Sequence, residues 1–184
     1  MSTPPLICTY CGNRTFVLQN QEPDCLICSN RYVPKPSTER ERFVHPDLVR
    51  SHHKMDILQL EEDIWRICLE PTLGIRHFAY FVERPDGNVL MDMQPLLTAD
   101  LEDWIASKGG LQVIILSHPH YYGAMDEFSA RFKAPIKIHG TDKEWSAGYP
   151  NVEFFDFEVL KLGEGLEVHH IPAQFEGGLC LLYK

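Results

Sequence analysis

Residues 113–116, Val-Ile-Ile-Leu, are four consecutive aliphatic side chains with no charge among them. An uninterrupted apolar run of strand length predicts a strand buried on both faces. Looser apolar alternation at 64–69 and 79–83, and a short apolar run at 89–92, predict three more strands. Asp86-Gly87 lies between the last two and marks a hairpin. Residues 98–108 read as a helix with Thr98 as N-cap, Leu101, Trp104 and Ile105 on one face, and Gly109-Gly110 as terminator. A second helix spans 126–133, where Met125, Phe128 and Phe132 recur at helical spacing. Further strands are expected at 135–139, 151–157, 158–162, 166–171 and 179–183, with a helical turn at 141–145. The last four strands are assigned to the second half of the fold. Residues 55–62 read as a short helix or an extended lead-in, and a short helix is expected at 38–43 or after Pro46. Strands interleaved with helices define an α/β (α+β) class.

The cysteines add a separate unit. Cys8-x2-Cys11 and Cys25-x2-Cys28 are two knuckles separated by 13 residues. Each knuckle presents two thiolates on one side, as tetrahedral zinc requires. Residues 1–34 are therefore expected to form a zinc ribbon, with residues 15–18 as a strand and Gly12 and Ser29-Asn30 as turn residues. A unit this short has too little core to fold without its metal. The site is closed and structural, so no catalysis is assigned to it. Cys68 and Cys180 lie in apolar stretches and read as buried thiols. Residues 35–54 are a charged, proline-containing connector in which His45, His52 and His53 are expected to be solvated. Residues 55–184 form the main domain.

The candidate chemistry follows the apolar strand. Ser117-His118-Pro119-His120 places two imidazoles two positions apart, just past a strand's carboxyl end. Both can turn toward the crevice where α/β sheets place ligands, and imidazole is the commonest metal ligand. Pro119 stiffens the turn, and Gly123 permits close backbone approach. His139, at another strand end, is expected in a core or hydrogen-bonded role.

Strand, Ser-His-x-His and helix together resemble the metallo-β-lactamase fold family, whose motif runs His-x-His-x-Asp-His. His118 and His120 match its first two histidines, while Tyr122 and Gly123 stand in place of the aspartate and third histidine. The Ser-His-Pro-His-Tyr-Tyr form, with a Cys-x2-Cys segment in front, is similar to a smaller branch of that superfamily. The resemblance covers about residues 55–184 and implies an αββα sandwich. It implies a metal-dependent hydrolase with zinc or iron at His118 and His120, Tyr121 or Tyr122 stabilising an oxyanion, and Asp92 near the site. The loop after Ile171 resembles the family's Pro-Gly-His-Thr-x-Gly loop. Pro172 and Gly177 keep its frame, while Ala173, Gln174 and Phe175 replace the glycine, histidine and threonine. The family's bridging aspartate and final histidine have no counterpart before Lys184. The expectation is a shortened sandwich with a degenerate site, at most one weakly bound zinc or iron, and weak or absent activity. An exposed sheet edge would then be open to self-association. The competing expectation is a non-catalytic zinc-binding interaction or scaffold protein.

Composition narrows the partners. The 184 residues are 44% hydrophobic, and the net charge is −9. That charge argues against nucleic acid and anionic membranes and leaves a small molecule of unread identity. No run reaches transmembrane length, and the N-terminus lacks a signal peptide's basic and apolar regions, so a cytoplasmic or nuclear location is expected.

Overall fold

A computed structural model describes residues 5–15, 22–29, 42–146 and 149–184. The chain opens with three short strands, β1 (Leu6–Cys8), β2 (Arg14–Thr15) and β3 (Phe43–Val44), with β1 central and antiparallel to both neighbours. Helix α1 (Pro46–His52) follows, with proline in its first turn and His45 Nδ1 accepting from Asp47 N at 3.3 Å. The expected strand at 15–18 and helix at 38–43 lie mostly outside the described residues; Phe43 itself is in β3.

The apolar runs then build a seven-stranded sheet. Strands β4 (Lys54–Glu61), β5 (Ile64–Glu70), β6 (Phe78–Val82) and β7 (Val89–Met91) form an antiparallel meander. Residues 54–61 are thus strand, as the extended alternative expected, with all but Leu60 paired in register with β5. Helix α2 (Ala99–Ser107) crosses over to β8 (Val113–Ile115), and helix α3 (Met125–Phe132) crosses to β9 (Ile136–His139), which pairs with β10 (Val152–Phe155). Strands β7 to β10 are parallel, in the order β10-β9-β8-β7. Strand β10 therefore belongs to the first sheet, not to the second half. Only β11 (Val159–Lys161), β12 (Leu166–His170) and β13 (Leu179–Tyr183) form the second, antiparallel sheet.

Side-chain alternation along these strands makes two cores. Ile67, Phe81, Leu90, Ile114 and Ile138 face Leu101 and Ile105 of α2 and Met125 and Phe128 of α3. Val82, Val89, Met91, Val113 and Ile115 face Leu166, Val168 and Leu179 of the second sheet. The result is a helix-backed sandwich of two sheets. Thr98 precedes α2 without a side-chain capping bond, and Gly109-Gly110 ends it with φ of 93° and 82°. Cys68 is buried as expected, but Cys180 is exposed, because it faces away from the inner side of β13. Among the described residues no helix is long and apolar enough to cross a membrane.

The four-cysteine unit is docked on the sandwich. Asn13 Nδ2 donates to the Pro119 carbonyl at 2.8 Å, and Arg14 pairs with Glu127 at 2.7 Å. Phe175 and Trp145 of the sandwich pack into the same apolar cluster as the four cysteines, and Ile7 packs with Val49, Leu69 and Leu96. A unit with so few apolar side chains completes its core by borrowing from its neighbour. Gly123 lies at the seam: a Cβ there would stand 2.8 Å from the Gly12 carbonyl oxygen and 3.1 Å from Asn13 Cα. Both neighbours are backbone and give way only if the seam opens. Gly123→Ala is expected to lower stability by about 1–3 kcal/mol, the usual range for overpacking, and to speed amide exchange at residues 8–13 before the rest of the chain. An unchanged denaturation midpoint would mean that this seam does not hold the two units together.

Candidate functional site

Three parallel strands end on one side of the sheet, and their ends bring the site residues together. Asp92 follows β7, Ser117 and His118 follow β8, and His139 ends β9. The β7–β8 register sets Met91 beside Ile115, so Asp92 meets Ser117. Asp92 is buried and lies in the left-handed region with φ of 62°. A short polar side chain tolerates that conformation better than most. Its Oδ1 accepts from the Ser117 backbone N–H at 2.7 Å and its Oδ2 from the Ser117 hydroxyl at 2.8 Å. Ser117 Oγ lies 2.8 Å from His118 Nδ1. With Asp92 ionised, the serine proton is committed to the carboxylate. His118 must then donate from Nδ1, which leaves Nε2 as an acceptor. Burial pushes Asp92 up to about 7 from 3.8, against the two bonds from Ser117, and presses His118 down to about 4.

His118 lies at one end of a cleft of about 810 Å³ between the two sheets. Tyr80, Val82 and Met91 line one wall, and Leu179, Leu181 and Tyr183 line the other. Asp92, Ser117 and Gln174 share the polar end with His118. The ring of Phe175, standing where the resemblance puts a threonine, stacks on His118 at 5.7 Å and 30°.

His120 and Tyr122 are placed differently. His120 is buried under the other edge of Phe175, at 5.3 Å and 82°, and does not line the cleft. Its backbone carbonyl accepts from His77 Nε2 at 3.0 Å, and its Nδ1 has no partner among the described residues. Burial lowers the His120 pKa, while the nearby Cys8 opposes that shift. The two imidazoles of the motif are 5.3 Å apart at 80°. Tyr122 is 2% exposed and borders a smaller cavity of about 320 Å³ against the four-cysteine unit. Burial holds its hydroxyl well above the ordinary tyrosine value.

The second strand-end histidine is packed, as its setting implied. His139 Nδ1 lies 2.9 Å from Thr141 Oγ1, and its ring stacks on His170 at 3.6 Å. His170 Nε2 is bound to the Glu176 carbonyl at 2.8 Å. Sequence reasoning gave no role to His77, Asn13 or Phe175. Each acts through a partner more than 40 positions away, and no local pattern encodes that.

Two metal sites were expected, and the donor geometry separates them. Cys8, Cys11, Cys25 and Cys28 are all buried, and their Sγ atoms lie within 4.8 Å of one another. Cys8–Cys28 and Cys11–Cys25 are 3.7 and 3.4 Å apart. A tetrahedron with metal–sulfur bonds of about 2.3 Å has edges of about 3.8 Å, so the four thiols fit a closed metal site. Hydrogen bonding with Cys11 pulls Cys8 far below the ordinary thiol value, and Cys25 pushes Cys11 far above it. Buried thiols sharing protons in this way are poised to exchange them for a cation. Among the described residues no other three histidine, cysteine or acidic side chains converge in this manner.

This architecture is the metallo-β-lactamase fold. MEM-A1, a subclass B3 metallo-β-lactamase from a soil metagenome library, superposes on 71% of the chain with a TM-score of 0.53 and 16% identity. Rm3 metallo-β-lactamase superposes on 75% with a TM-score of 0.53 and 15% identity. Among curated proteins, the uncharacterized protein YmaE of Bacillus subtilis (strain 168) is 32% identical over 189 residues, covering 97% of this chain. The chain spans 66% of YmaE, 58% of MEM-A1 and 60% of Rm3. No protein-family model matches the sequence.

The buried groups make stability depend on pH. His77 and His118 are both pressed down to about 4 from 6.5 by burial. Between pH 4 and 6.5 the unfolded chain therefore binds two protons that the folded chain refuses, and stability falls on acidification. Asp92 has the opposite sign: its folded-state pKa is raised to about 7, so from pH 4 to 7 the folded chain holds a proton and stability falls as pH rises. For these three groups the net difference of one proton tilts stability by about 1.4 kcal/mol per pH unit over that window, toward loss in acid; His120 and His139, also lowered by burial, add to this tilt, and Asp142, raised by burial, opposes it. Asp92→Asn is expected to steepen the slope by about 1.4 kcal/mol per pH unit in metal-free protein. Denaturant melts between pH 4 and 6.5 measure it, and equal slopes for the two proteins would show that Asp92 does not titrate there.

Proposed function

We propose that this chain is a metallo-hydrolase-like protein in which the four cysteines hold a structural zinc and the histidine centre is incomplete. His118 alone serves the ligand cleft, and hydrolysis is weak or absent. The observation that carries this reading is the divergence of the motif: His118 lines the cleft, while His120 is buried beside the cysteine unit. Asp92 fixes Ser117, and Ser117 Oγ accepts a hydrogen bond from the His118 Nδ1–H, so that Nε2 can accept a hydrogen bond or a proton from a water or ligand hydroxyl in the cleft. A base whose pKa is about 4 has little driving force for that transfer at neutral pH. Tyr122, buried away from the cleft, acts through packing and not as an oxyanion donor.

Zinc in the cysteine site would supply folding free energy to the first unit and, through Asn13 and Pro119, hold the histidine loop in place. The alternative, a non-catalytic zinc-binding interaction or scaffold protein, is favoured by a separate feature. Strand β13 has one neighbour in its sheet and carries exposed Leu182 and Tyr183, an edge suited to pairing with a second copy.

One tight zinc per chain is expected, lost in a Cys8→Ser, Cys25→Ser double variant and retained in His118→Ala, His120→Ala. With the cysteine site filled, added zinc or iron should find no second site tighter than micromolar. A nanomolar second site abolished by His118→Ala would restore a competent metal centre and refute this proposal.

A further inference from the structure

The cleft itself specifies a class of ligand. Its two long walls are apolar, with Tyr80, Val82 and Met91 on one side and Leu179, Leu181 and Tyr183 on the other. Its ionisable polar groups, Asp92 and His118, lie together where β7 and β8 end. Among the described residues no lysine or arginine lines it. Arg84 is engaged with Asp86 at 2.9 Å and Arg66 with Asp56 at 3.0 Å. At the far end the Tyr183 hydroxyl is held by Asp63, in the turn after β4. Leu179 donates its backbone N–H to the Ser117 carbonyl at 3.0 Å, so β13 starts at the polar end and runs to the apolar one. Leu179 to Tyr183 spans about 13 Å at the usual strand rise. An all-trans alkyl chain of about ten carbons covers that distance, at about 1.3 Å of advance per carbon–carbon bond.

We propose that the cleft binds a neutral single-chain lipid, an acyl chain of about ten carbons that carries an uncharged ester or hydroxyl head. The chain lies between β6 and β13, and the head meets His118 and Gln174. The inference rests on the reading of this cleft as the ligand site. His118 Nε2 has a lone pair to accept a hydroxyl proton, and the Gln174 amide can both donate and accept. A carboxylate head would instead meet that lone pair and the ionised Asp92 with no free cation in reach. Burying an unpaired charge there carries a large penalty.

The test uses the full chain with its cysteine site loaded with zinc. Calorimetric titration at pH 8 compares 1-monodecanoylglycerol, 1-monobutyrylglycerol and decanoate, each below its aggregation concentration. Monodecanoylglycerol is expected to bind one to one. Monobutyrylglycerol, six methylenes shorter, should bind on the order of a hundredfold more weakly, and decanoate about tenfold more weakly or worse. Leu181→Lys, which sets a cation in the wall, should shift preference toward decanoate. Absence of saturable binding by monodecanoylglycerol, or equal binding by decanoate in the unaltered protein, overturns the proposal whether or not the variant folds. Binding is read without turnover. Lipid binding without hydrolysis therefore leaves this inference standing, and a tight second metal without lipid binding defeats it while sparing the cleft's chemistry.

Discussion

The bond between Asp92 and Ser117 is the constraint on which the site depends. It joins the ends of two parallel strands just past their last backbone bond, from the Asp92 N–H to the Ile115 carbonyl at 2.8 Å. A carboxylate placed there must be buried, and burial makes it a reluctant anion. Two bonds from one serine offset that penalty and hold the Asp92 backbone in an unfavourable conformation. The orientation of His118 then follows, because Ser117 has only one proton to give. The tautomer of the cleft histidine is thus set by strand register, which brings Asp92 against Ser117 at the polar end of the cleft.

The second consequence comes from the cysteine unit. It covers the side of the histidine loop opposite the cleft, with Asn13 on the Pro119 carbonyl and Gly12 against Gly123. Phe175 packs against both histidine rings, which also touch each other edge to face, and it joins the cluster of cysteines. The three rings form one aromatic cluster, with His118 on the cleft side and His120 on the cysteine side. Imidazole, thiolate and aromatic packing share one interior, so metal in the cysteine site and geometry in the cleft are linked through contacts a few ångströms long.

This arrangement changes what the fold can do. A buried neutral histidine beside an apolar cleft is a hydrogen-bond acceptor and a weak base. Under the proposed reading it would recognise a hydroxyl group better than it would activate water. The walls contribute apolar area, so affinity for the proposed ligand would grow with chain length.

Much of the fold was legible in the sequence. The uncharged run at 113–116 is a sheet strand with both faces buried, Asp86-Gly87 turns a hairpin, and Gly109-Gly110 ends α2, because each depends on local side-chain patterning or backbone freedom. The paired Cys-x2-Cys knuckles likewise foretold four converging thiols, since a knuckle's geometry is fixed within four residues. The two imidazoles of the motif follow a strand end as the apolar run implied, but which of them lines the cleft was not legible. His120 packs against Phe175, more than fifty positions later, and its loop is held by Asn13, more than one hundred positions earlier. Strand β10 joined the larger sheet for a similar reason: its parallel partner β9 lies across a connection that its own apolar pattern does not describe. Local sequence determined the elements and the four thiols, which are short-range matters of periodicity and backbone freedom. Only the tertiary structure decided which histidine lines the cleft, because that depends on how distant segments pack around the histidine loop.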